Sequence, residues 1–210
     1  IRSIDVGNAY LESLLDVPLA MELPPEPGQP RRVVILQKSL YGLKQAGELW
    51  NKHFDKIMKS LHFHRCHSDP CVYHKTTDEG KLIVGVYVDD LLVVSSNLDL
   101  AKRFEEDLAK HVQKLTIKGN AEGFIGLEIS RDRARRTITV SQPQYIQDMI
   151  HDAGLDNTSP KTTPASVSND LNKAPRGSDG PMRDVVGKIR YLVDHTRPEA
   201  LYIASQLSSA

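Results

Sequence analysis

Two adjacent carboxylates interrupt the most apolar stretch of this chain. Asp89 and Asp90 follow Tyr87-Val88 and separate two β-branched apolar runs, residues 82–88 and 91–94, an arrangement typical of a tight hairpin of two buried strands. Neighbouring acids in a poorly solvated place do not both ionise unless a cation offsets their charge. A divalent ion such as Mg²⁺ does so, because it binds through one or two carboxylates together with phosphates. A solvated two-residue turn is the alternative interpretation of the pair.

A third carboxylate has similar surroundings. Asp5 lies between Ile4 and Val6 at the end of a short apolar strand, and Gly7 follows where the chain leaves that strand. Acids at the ends of separate strands can converge in a fold. Two metal ions held about 3.5–4 Å apart by such acids clamp an in-line phosphoryl displacement, one at the attacking 3′ oxygen and the other at the leaving pyrophosphate. The three acids together predict nucleotidyl transfer.

The segments around these acids must position them, and their patterns predict both strands and helices. Prolines and Gly28 within residues 16–32 exclude a regular helix there and favour an extended connection or a surface hairpin. Trp50 is expected to anchor a helix in the core rather than to stack on a ligand. Apolar spacing and capping residues predict helices over 41–61, about 99–110, 144–153 and 182–207, strands over 124–130 and 137–141, and a mobile segment over 157–181.

Composition limits the classes of protein that the chain can represent. The 210 residues include 27 basic and 27 acidic side chains, so the formal net charge is zero and any contact with nucleic acid must come from local patches. Two cysteines are too few for a secreted disulfide scaffold, and no apolar run has the length of a membrane span. An intracellular protein without a membrane anchor is expected. The chain opens on Ile1 rather than on Met, which is expected of a segment inside a longer reading frame.

A cluster of histidines and cysteines offers an alternative, a structural zinc site. Structural zinc takes two short-spaced pairs of ligands separated by a longer loop, and this spacing differs. Cys71 is instead expected to face the core from a strand. The cluster consists of His62, His64, Cys66, His67, Cys71 and His74.

Several motifs, in order along the chain, resemble those of the copia-type (pseudovirus) reverse transcriptases. The helices that end that family's domain are similar to Val186-Gly187-Lys188 and Thr196-Arg197-Pro198-Glu199. The family's first catalytic motif is similar to Asp5-Val6-Gly7-Asn8-Ala9-Tyr10-Leu11, its template-positioning motif to Ser39-Leu40-Tyr41-Gly42-Leu43-Lys44-Gln45-Ala46, its catalytic hairpin to Tyr87-Val88-Asp89-Asp90, and its primer-grip strand to Phe124-Ile125-Gly126-Leu127-Glu128-Ile129. The similarity covers nearly the whole chain.

The resemblance implies an α+β fold. It implies a polymerase palm, in which helices back an antiparallel sheet, followed by a helical thumb, with the fingers largely missing. The palm would cover residues 1–130 with a partial fingers excursion at about 14–44, and the thumb would cover 131–210. The implied function is that of an RNA-directed DNA polymerase, a reverse transcriptase acting by two-metal nucleotidyl transfer.

The resemblance also implies roles for individual residues. The catalytic acids would be Asp5, Asp89 and Asp90; Asp5 and Asp89 would hold two Mg²⁺ or Mn²⁺ ions, with the Val6 carbonyl as a further ligand and Asp90 supporting the metal site. Tyr10 would be the steric gate, since a ring below the sugar of the nucleotide excludes a 2′-OH. The nucleotide would be bound by Asn8, Ala9, Tyr10, Tyr41, Gly42 and Lys44. Template and primer would contact Gln45, Tyr87, Val88, Phe124, Ile125 and Gly126.

The implied partners are an RNA or DNA template with its primer, deoxynucleoside triphosphates and the rest of a polyprotein (fingers, RNase H and integrase), in a cytoplasmic virus-like particle. Gly47-Glu48 departs from the Pro-Arg that the family usually has there, and a fingers segment is expected to be missing upstream of Asp5. Weak or no polymerase activity is therefore expected of the isolated chain. The alternative is an inactive or co-opted remnant that binds nucleic acid without synthesis, aided by the arginine-rich turn at residues 131–136.

Overall fold

The computed structural model describes residues 1–28, 30–165 and 182–209. The chain divides into two compact units, Ile1–Ile125 and Gly126–Ala210. The elements of the first unit are β1 (Arg2–Val6), α1 (Ala9–Glu12), β2 (Leu14–Glu22), β3 (Val33–Lys38), α2 (Ala46–Ser60), β4 (His64–Arg65), β5 (Val72–Thr77), β6 (Gly80–Tyr87), β7 (Asp90–Ser95), α3 (Leu98–Ala109), β8 (Leu115–Asn120) and β9 (Gly123–Phe124). Those of the second are β10 (Leu127–Asp132), β11 (Thr137–Ser141), α4 (Pro143–Asp152), α5 (Met182–His195), a 3₁₀ turn (Pro198–Ala200) and α6 (Leu201–Ser209).

A six-stranded antiparallel sheet, in the order β4-β5-β6-β7-β1-β8, forms the frame of the first unit. Helices α2 and α3 contribute their apolar sides to the same core as the sheet, where each fully buried large side chain stabilises the fold by about 1.5–3 kcal/mol. The core includes Ile4 and Val6 of β1, Leu82 and Val84 of β6, Leu91 and Val93 of β7, Trp50, Phe54, Ile57 and Met58 of α2, and Leu100, Ala101, Phe104 and Leu108 of α3. The α+β expectation is therefore confirmed.

The alternation of side chains along β1 determines where its acid lies. Ile4 and Val6 are fully buried in the core, so Asp5 between them points to the opposite face of the sheet. The core side of β1 also carries Arg2, whose guanidinium donates two hydrogen bonds to the carboxylate of Glu105 on α3. Glu105 is 3% exposed, and burial of a charge requires a partner of this kind. The pair ties α3 to the strand that carries Asp5.

Strands β2 and β3 form a separate antiparallel hairpin, with Leu19 opposite Leu36. Of the two structures expected for the proline-rich segment, an extended connection or a surface hairpin, the hairpin is the one observed. Its register shifts between Leu14 and Leu19, and Pro18 lies within that irregular stretch. Proline cannot donate a hydrogen bond to a neighbouring strand and is tolerated at such a bulge.

The expected boundaries hold for some elements, shift for one and fail for two. The β6–β7 hairpin and helix α3 lie where they were expected, whereas α2 begins five residues later than the expected helix over 41–61. A single strand over 124–130 is wrong, because Ile125 and Gly126 have φ of 45° and 78°, values that no strand adopts. A single helix over 182–207 is also wrong. The helix breaks between His195, where α5 ends, and the 3₁₀ turn that begins at Pro198, because proline lacks the N–H of a helical hydrogen bond and disfavours a helical conformation in the residue before it.

The second unit contains the β10–β11 hairpin and helices α4 to α6. Arg131 lies opposite Ile138 and Asp132 opposite Thr137, so the arginine-rich turn forms the tip of this hairpin. The buried amide of Gln142 accepts a 2.7 Å hydrogen bond from the Thr196 hydroxyl. Of the segment expected to be mobile, residues 166–181 lie outside the described residues. None of the helices in the described residues combines the length and the apolar character that crossing a membrane requires.

Candidate active site

Two of the three predicted catalytic acids lie opposite each other in the sheet. Strands β1 and β7 pair so that Asp5 faces Asp90, and β6 and β7 pair so that Tyr87 also faces Asp90. Asp89 is connected to the same place through its backbone, because its carbonyl accepts a 2.8 Å hydrogen bond from the Val6 amide. Side chains directly opposite on antiparallel strands lie on one face. Tyr87, Asp90 and Asp5 therefore form a row across β6, β7 and β1, on the face of the sheet opposite the helices.

The turn between β6 and β7 is held in an uncommon conformation. Val88 has a φ of 54°, which is costly for a β-branched residue and calls for compensating contacts. One such contact comes from α2, where the indole N–H of Trp50 donates a 2.6 Å hydrogen bond to the Val88 carbonyl. Trp50 itself is 3% exposed and packs in the core, as expected. The helix thus positions the turn immediately before the two acids.

Lys118 on β8 places its ammonium group between the paired acids. Its Nζ lies 3.2 Å from Oδ1 of Asp90 and 3.5 Å from Oδ1 of Asp5. The hydrogen bond to Asp90 and the negative charges of both acids raise the pKa of Lys118 above its ordinary value, although partial burial acts in the opposite direction. Asp5 and Asp90 each keep about a third of their side-chain surface exposed, at 34%. Two carboxylate oxygens thus converge on one cation at a site that remains open to solvent.

This donor set suits a hard cation. Oxygen ligands from carboxylates are those that Mg²⁺ and Mn²⁺ prefer, and here two such ligands already share a positive charge. Within the described residues, no group of three or more His, Cys, Asp or Glu side chains is arranged to hold a metal ion. The third acid, Asp89, and the Val6 carbonyl therefore remain predicted ligands rather than members of an assembled set.

Tyr10, the predicted steric gate, lies against another predicted nucleotide-binding residue. Its ring centroid is 4.6 Å from that of Tyr41, and the two planes are tilted by 54°. The chain reaches Tyr10 through Asn8, whose φ of 59° and ψ of 39° place it in the left-handed region that Asn tolerates better than most residues. Helix α1 has only four residues. It is too short for a helix dipole, so any phosphate held near Ala9 would depend on the amides of the turn.

Tyr41 lies within electrostatic reach of the acids. Burial raises the pKa of its hydroxyl, and the negative charges of Asp89 and Asp5 raise it further, together with the neighbouring Tyr10. The neighbouring predicted residues occupy the turn before α2. Gly42 has a φ of 96° with open space beside it, the exposed Lys44 follows, and Gln45 immediately precedes the helix. The structure thus brings Tyr10 and Tyr41 together beside the predicted acids.

The predicted primer-grip residues fall at the division between the two units. Phe124 and Ile125 end the first unit and Gly126 begins the second. Within the second unit, a Cβ atom added to Gly126 would lie 3.0 Å from the hydroxyl of Tyr191. The side chain that approaches Gly126 in this structure is therefore Tyr191, and the contact with a primer remains a prediction.

The histidine and cysteine cluster does not form the alternative zinc site within the described residues. His64 and His74 face each other across β4 and β5 with ring centroids 5.8 Å apart. Cys71 is exposed, so the expectation that it faces the core is wrong. The reason is that β5 begins only at Val72, and Tyr73 takes the buried position.

Two relationships that support the site were missed by sequence reasoning, one at the acids and one behind β1. Strand β8 was not predicted, because its six residues include Gly119 and Asn120, which are poor strand formers; Lys118 was missed with it. The pair of Arg2 and Glu105 was missed as well. The signal for the latter was Glu105 itself, a charged residue on the apolar side of the predicted helix, which requires a buried partner.

Comparison with known proteins identifies the family. The sequence profile of the family described as reverse transcriptase (RNA-dependent DNA polymerase) matches residues 1–167. The chain belongs to this reverse transcriptase family. Its relatives are copia-type retrotransposon proteins, so the chain is a segment of a copia-type reverse transcriptase, as the motifs implied.

The reverse transcriptase relatives are proteins of retrotransposons. The chain is 32% identical over 99% of its length to the retrovirus-related Pol polyprotein from transposon TNT 1-94 of Nicotiana tabacum, of which it spans 17%. It is 30% identical over 98% of its length to a putative transposon Ty5-1 protein of Saccharomyces cerevisiae, of which it spans 68%. It is 31% identical over 99% of its length to the Pol polyprotein from transposon RE1 of Arabidopsis thaliana, of which it spans 14%.

Proposed function

We propose that this chain carries the polymerase site of a copia-type reverse transcriptase, whose reaction is RNA-directed DNA synthesis by two-metal nucleotidyl transfer, and that the isolated chain performs this reaction slowly at most. The strongest support is that Asp5 of β1 lies opposite Asp90 of β7 and that both carboxylates contact the ammonium group of Lys118. Membership of the reverse transcriptase family supports the same reaction. The six-stranded sheet with α2 and α3 would be the palm, and the second unit would be the thumb.

Asp5, Asp89 and Asp90 would hold two Mg²⁺ or Mn²⁺ ions, with the Val6 carbonyl as an additional ligand. When bound, such ions activate an attacking 3′ oxygen and stabilise a leaving pyrophosphate. The chain's own contribution is to keep the acids in place. The sheet register opposes Asp5 to Asp90, and Trp50 holds the turn that leads into Asp89. Fixed groups of this kind lower the reorganisation that reaction requires.

The incoming deoxynucleotide would lie beside the ring pair of Tyr10 and Tyr41. Tyr10 would exclude a ribose 2′-OH by its bulk, and Tyr41 would limit the movement of that ring through their 4.6 Å contact. The amides of Asn8, Ala9 and Tyr10 would bind the triphosphate, and Gly42 and Lys44 would complete the nucleotide site. A positive charge on Lys44 would favour a bound phosphate.

The template and primer would follow the open face of the sheet. Tyr87 is 59% exposed on that face next to Asp90, where an aromatic ring can stack on a base. Gln45, Val88, Phe124, Ile125 and Gly126 would provide the remaining contacts. The fingers, RNase H and integrase of a polyprotein would act together with this site, inside a cytoplasmic virus-like particle.

Single-turnover nucleotide addition tests the proposal. The full chain, in excess over a labelled DNA primer on an RNA template, would be mixed with one deoxynucleotide and Mg²⁺ or Mn²⁺, so that even slow synthesis is detected. Asp89→Asn should slow addition by about a hundredfold or more, since metal-assisted charge stabilisation contributes several kcal/mol. Asp78→Asn, which changes an exposed acid in the β5–β6 turn, is the matched control. Addition that is equally fast with Asp89→Asn contradicts the proposal.

A second function, binding of nucleic acid without synthesis, is favoured by a separate observation. Exposed arginines at the tip of the β10–β11 hairpin form a basic patch that does not depend on the acids. Under this alternative, wild type and Asp89→Asn bind a primer-template equally and neither extends it. Extension by wild type alone, with equal binding by both, supports the polymerase.

A further inference from the structure

The register between β1 and β8 shifts at Lys118. Ser3 lies opposite Gly119 and Ile4 lies opposite Ile117, so Lys118 has no paired residue on β1. Gly119 has a φ of 79°, a conformation that glycine adopts without steric cost. A bulge of this kind redirects a side chain out of the regular alternation and is frequent beside functional sites. Here the redirected side chain is the lysine that contacts Asp5 and Asp90.

The acids that Lys118 contacts would repel each other without it. Asp5 and Asp90 occupy directly opposed positions on β1 and β7, and like charges at such positions destabilise a sheet. The ammonium nitrogen lies within 3.5 Å of an oxygen of each acid. The Lys118 side chain is 48% exposed, so it has room to move away into solvent. The ammonium group of Lys118 therefore lies between the two acids, and the same side chain can move away from them into solvent.

We propose that Lys118 is a built-in counter-cation, which holds Asp5 and Asp90 together before a divalent ion arrives and competes with that ion for the same carboxylate oxygens. This inference rests on the proposed function, since it concerns the acids assigned to the metal site. It assigns Lys118 a positioning role. Asp5 and Asp90 stay prearranged in the metal-free protein, and ion binding is weaker than it would be at an uncompensated pair.

Removing the positive charge of Lys118 should therefore increase the affinity for a divalent ion and decrease the stability of the metal-free protein. A unit charge about 4–5 Å from the bound ion, at a partly exposed site, changes affinity by about threefold to tenfold. A lysine with a purely structural role would instead lower stability and ion affinity together. The two effects differ in sign, so they separate the explanations.

Binding of Mn²⁺ measures the first effect. The electron paramagnetic resonance signal of free Mn²⁺ would be followed as ions are added to the full chain, without nucleotide or nucleic acid. Lys118→Met, which keeps the length of the side chain without its charge, should bind Mn²⁺ about threefold to tenfold more tightly than wild type. Lys118→Arg should resemble wild type. Lys110→Met, which removes a lysine that pairs with Asp107 instead, is the matched control and should leave the affinity unchanged.

The Asp5→Asn variant distinguishes failure of this inference from failure of the proposed function. If Asp5→Asn abolishes Mn²⁺ binding while Lys118→Met leaves it unchanged or weaker, the metal site stands and the counter-cation is overturned. If Mn²⁺ binds equally to wild type and Asp5→Asn, the ions bind elsewhere and the proposed two-metal site is overturned. If Mn²⁺ binds neither to wild type nor to Lys118→Met, both the counter-cation and the proposed two-metal site are contradicted.

A second measurement needs no metal. In buffer with chelator, Asp90→Asn relieves repulsion between the acids only where the lysine charge is absent. The melting temperature should therefore respond to Asp90→Asn more favourably in the Lys118→Met background than in wild type, by about 2 °C or more. Equal responses in the two backgrounds would show that Lys118 does not compensate the pair.

Discussion

The indole N–H of Trp50 donates a 2.6 Å hydrogen bond to the carbonyl of Val88, so the long helix and the turn before the paired acids are joined by one contact. Trp50 is almost completely buried at 3% exposure. Val88 meanwhile adopts a φ of 54°, which few β-branched residues do. The contact compensates for a turn conformation that its own residue disfavours.

Trp50→Phe should therefore destabilise the protein by about 2–4 kcal/mol. The variant keeps an aromatic ring, but it leaves the Val88 carbonyl without this partner, which costs about 1–3 kcal/mol, and it loses part of the buried surface. Urea unfolding followed by circular dichroism measures the change, because Trp50 is the single tryptophan of the chain and its fluorescence is lost. An unfolding free energy equal to that of wild type would show that the hydrogen bond contributes nothing.

A second prediction concerns the pair of Arg2 and Glu105. Glu105→Leu alone should destabilise the first unit by about 3–5 kcal/mol, because it leaves a largely buried guanidinium without its carboxylate. The double variant Arg2→Met with Glu105→Leu should recover most of that loss, since an apolar pair of similar volume packs without a charge. Urea unfolding of both single variants and the double variant completes the cycle. Additive losses would contradict the coupling.

The contrast between predicted and missed features follows from the range of the interactions. The β6–β7 hairpin was predictable, because its apolar runs and the acids between them lie within 14 residues of sequence, from Leu82 to Ser95. The partner of Glu105 was not, since Arg2 lies 103 residues away. A local pattern predicts that a segment forms a strand, but it does not predict which distant residue will contact it.

Conformations that oppose local preference were equally hard to predict. Residues 124–130 have strand-like composition, and only Gly126, which has a φ of 78°, gives a local signal for a break; the positive φ of Ile125 opposes the preference of isoleucine. The same holds for Lys118. Its position depends on a bulge in a strand that the sequence pattern did not reveal, although the acids that it contacts were found from sequence.

Tyr73 predicts a specific loss of stability at alkaline pH. Burial raises the pKa of its hydroxyl to about 12, with Arg65 acting in the opposite direction. The unfolded chain releases this proton near pH 10 while the folded chain retains it, so stability falls between pH 10 and 12 by up to about 2.7 kcal/mol. Tyr73→Phe should be less stable at pH 8, because it loses the 3.2 Å hydrogen bond to Asp55, but it should lose less stability up to pH 12. Parallel curves of unfolding free energy against pH for the two proteins would contradict the assignment.

Two glycines near the predicted nucleotide site should respond to alanine with opposite signs. Gly47 lies in the first turn of α2, and a Cβ atom there meets only the Tyr10 hydroxyl at 3.9 Å. Gly47→Ala should stabilise the protein by about 0.5–1 kcal/mol, because alanine favours the helix and restricts the unfolded chain. Gly42→Ala, with equally open space but a φ of 96°, should destabilise it by about 1–2 kcal/mol. Thermal unfolding compares the pair; shifts of the same sign would contradict the backbone explanation.

The arginine tip of the second unit predicts a measurable salt dependence of nucleic-acid binding. Arg133 and Arg136 are exposed at the tip, whereas Arg135 lies 3.7 Å from Asp132 and is partly neutralised. Each arginine that contacts a phosphate steepens the fall of log affinity with log salt by about 0.9 for a duplex. Replacement of Arg133 and Arg136 by Gln should therefore reduce the slope by up to about 1.8, while Arg135→Gln should reduce it less. Fluorescence anisotropy with an RNA–DNA primer-template, titrated with KCl, measures both slopes. Equal slopes for wild type and the double variant would show that the arginine tip does not contact nucleic acid. Synthesis at the acids would then be tested independently of the tip.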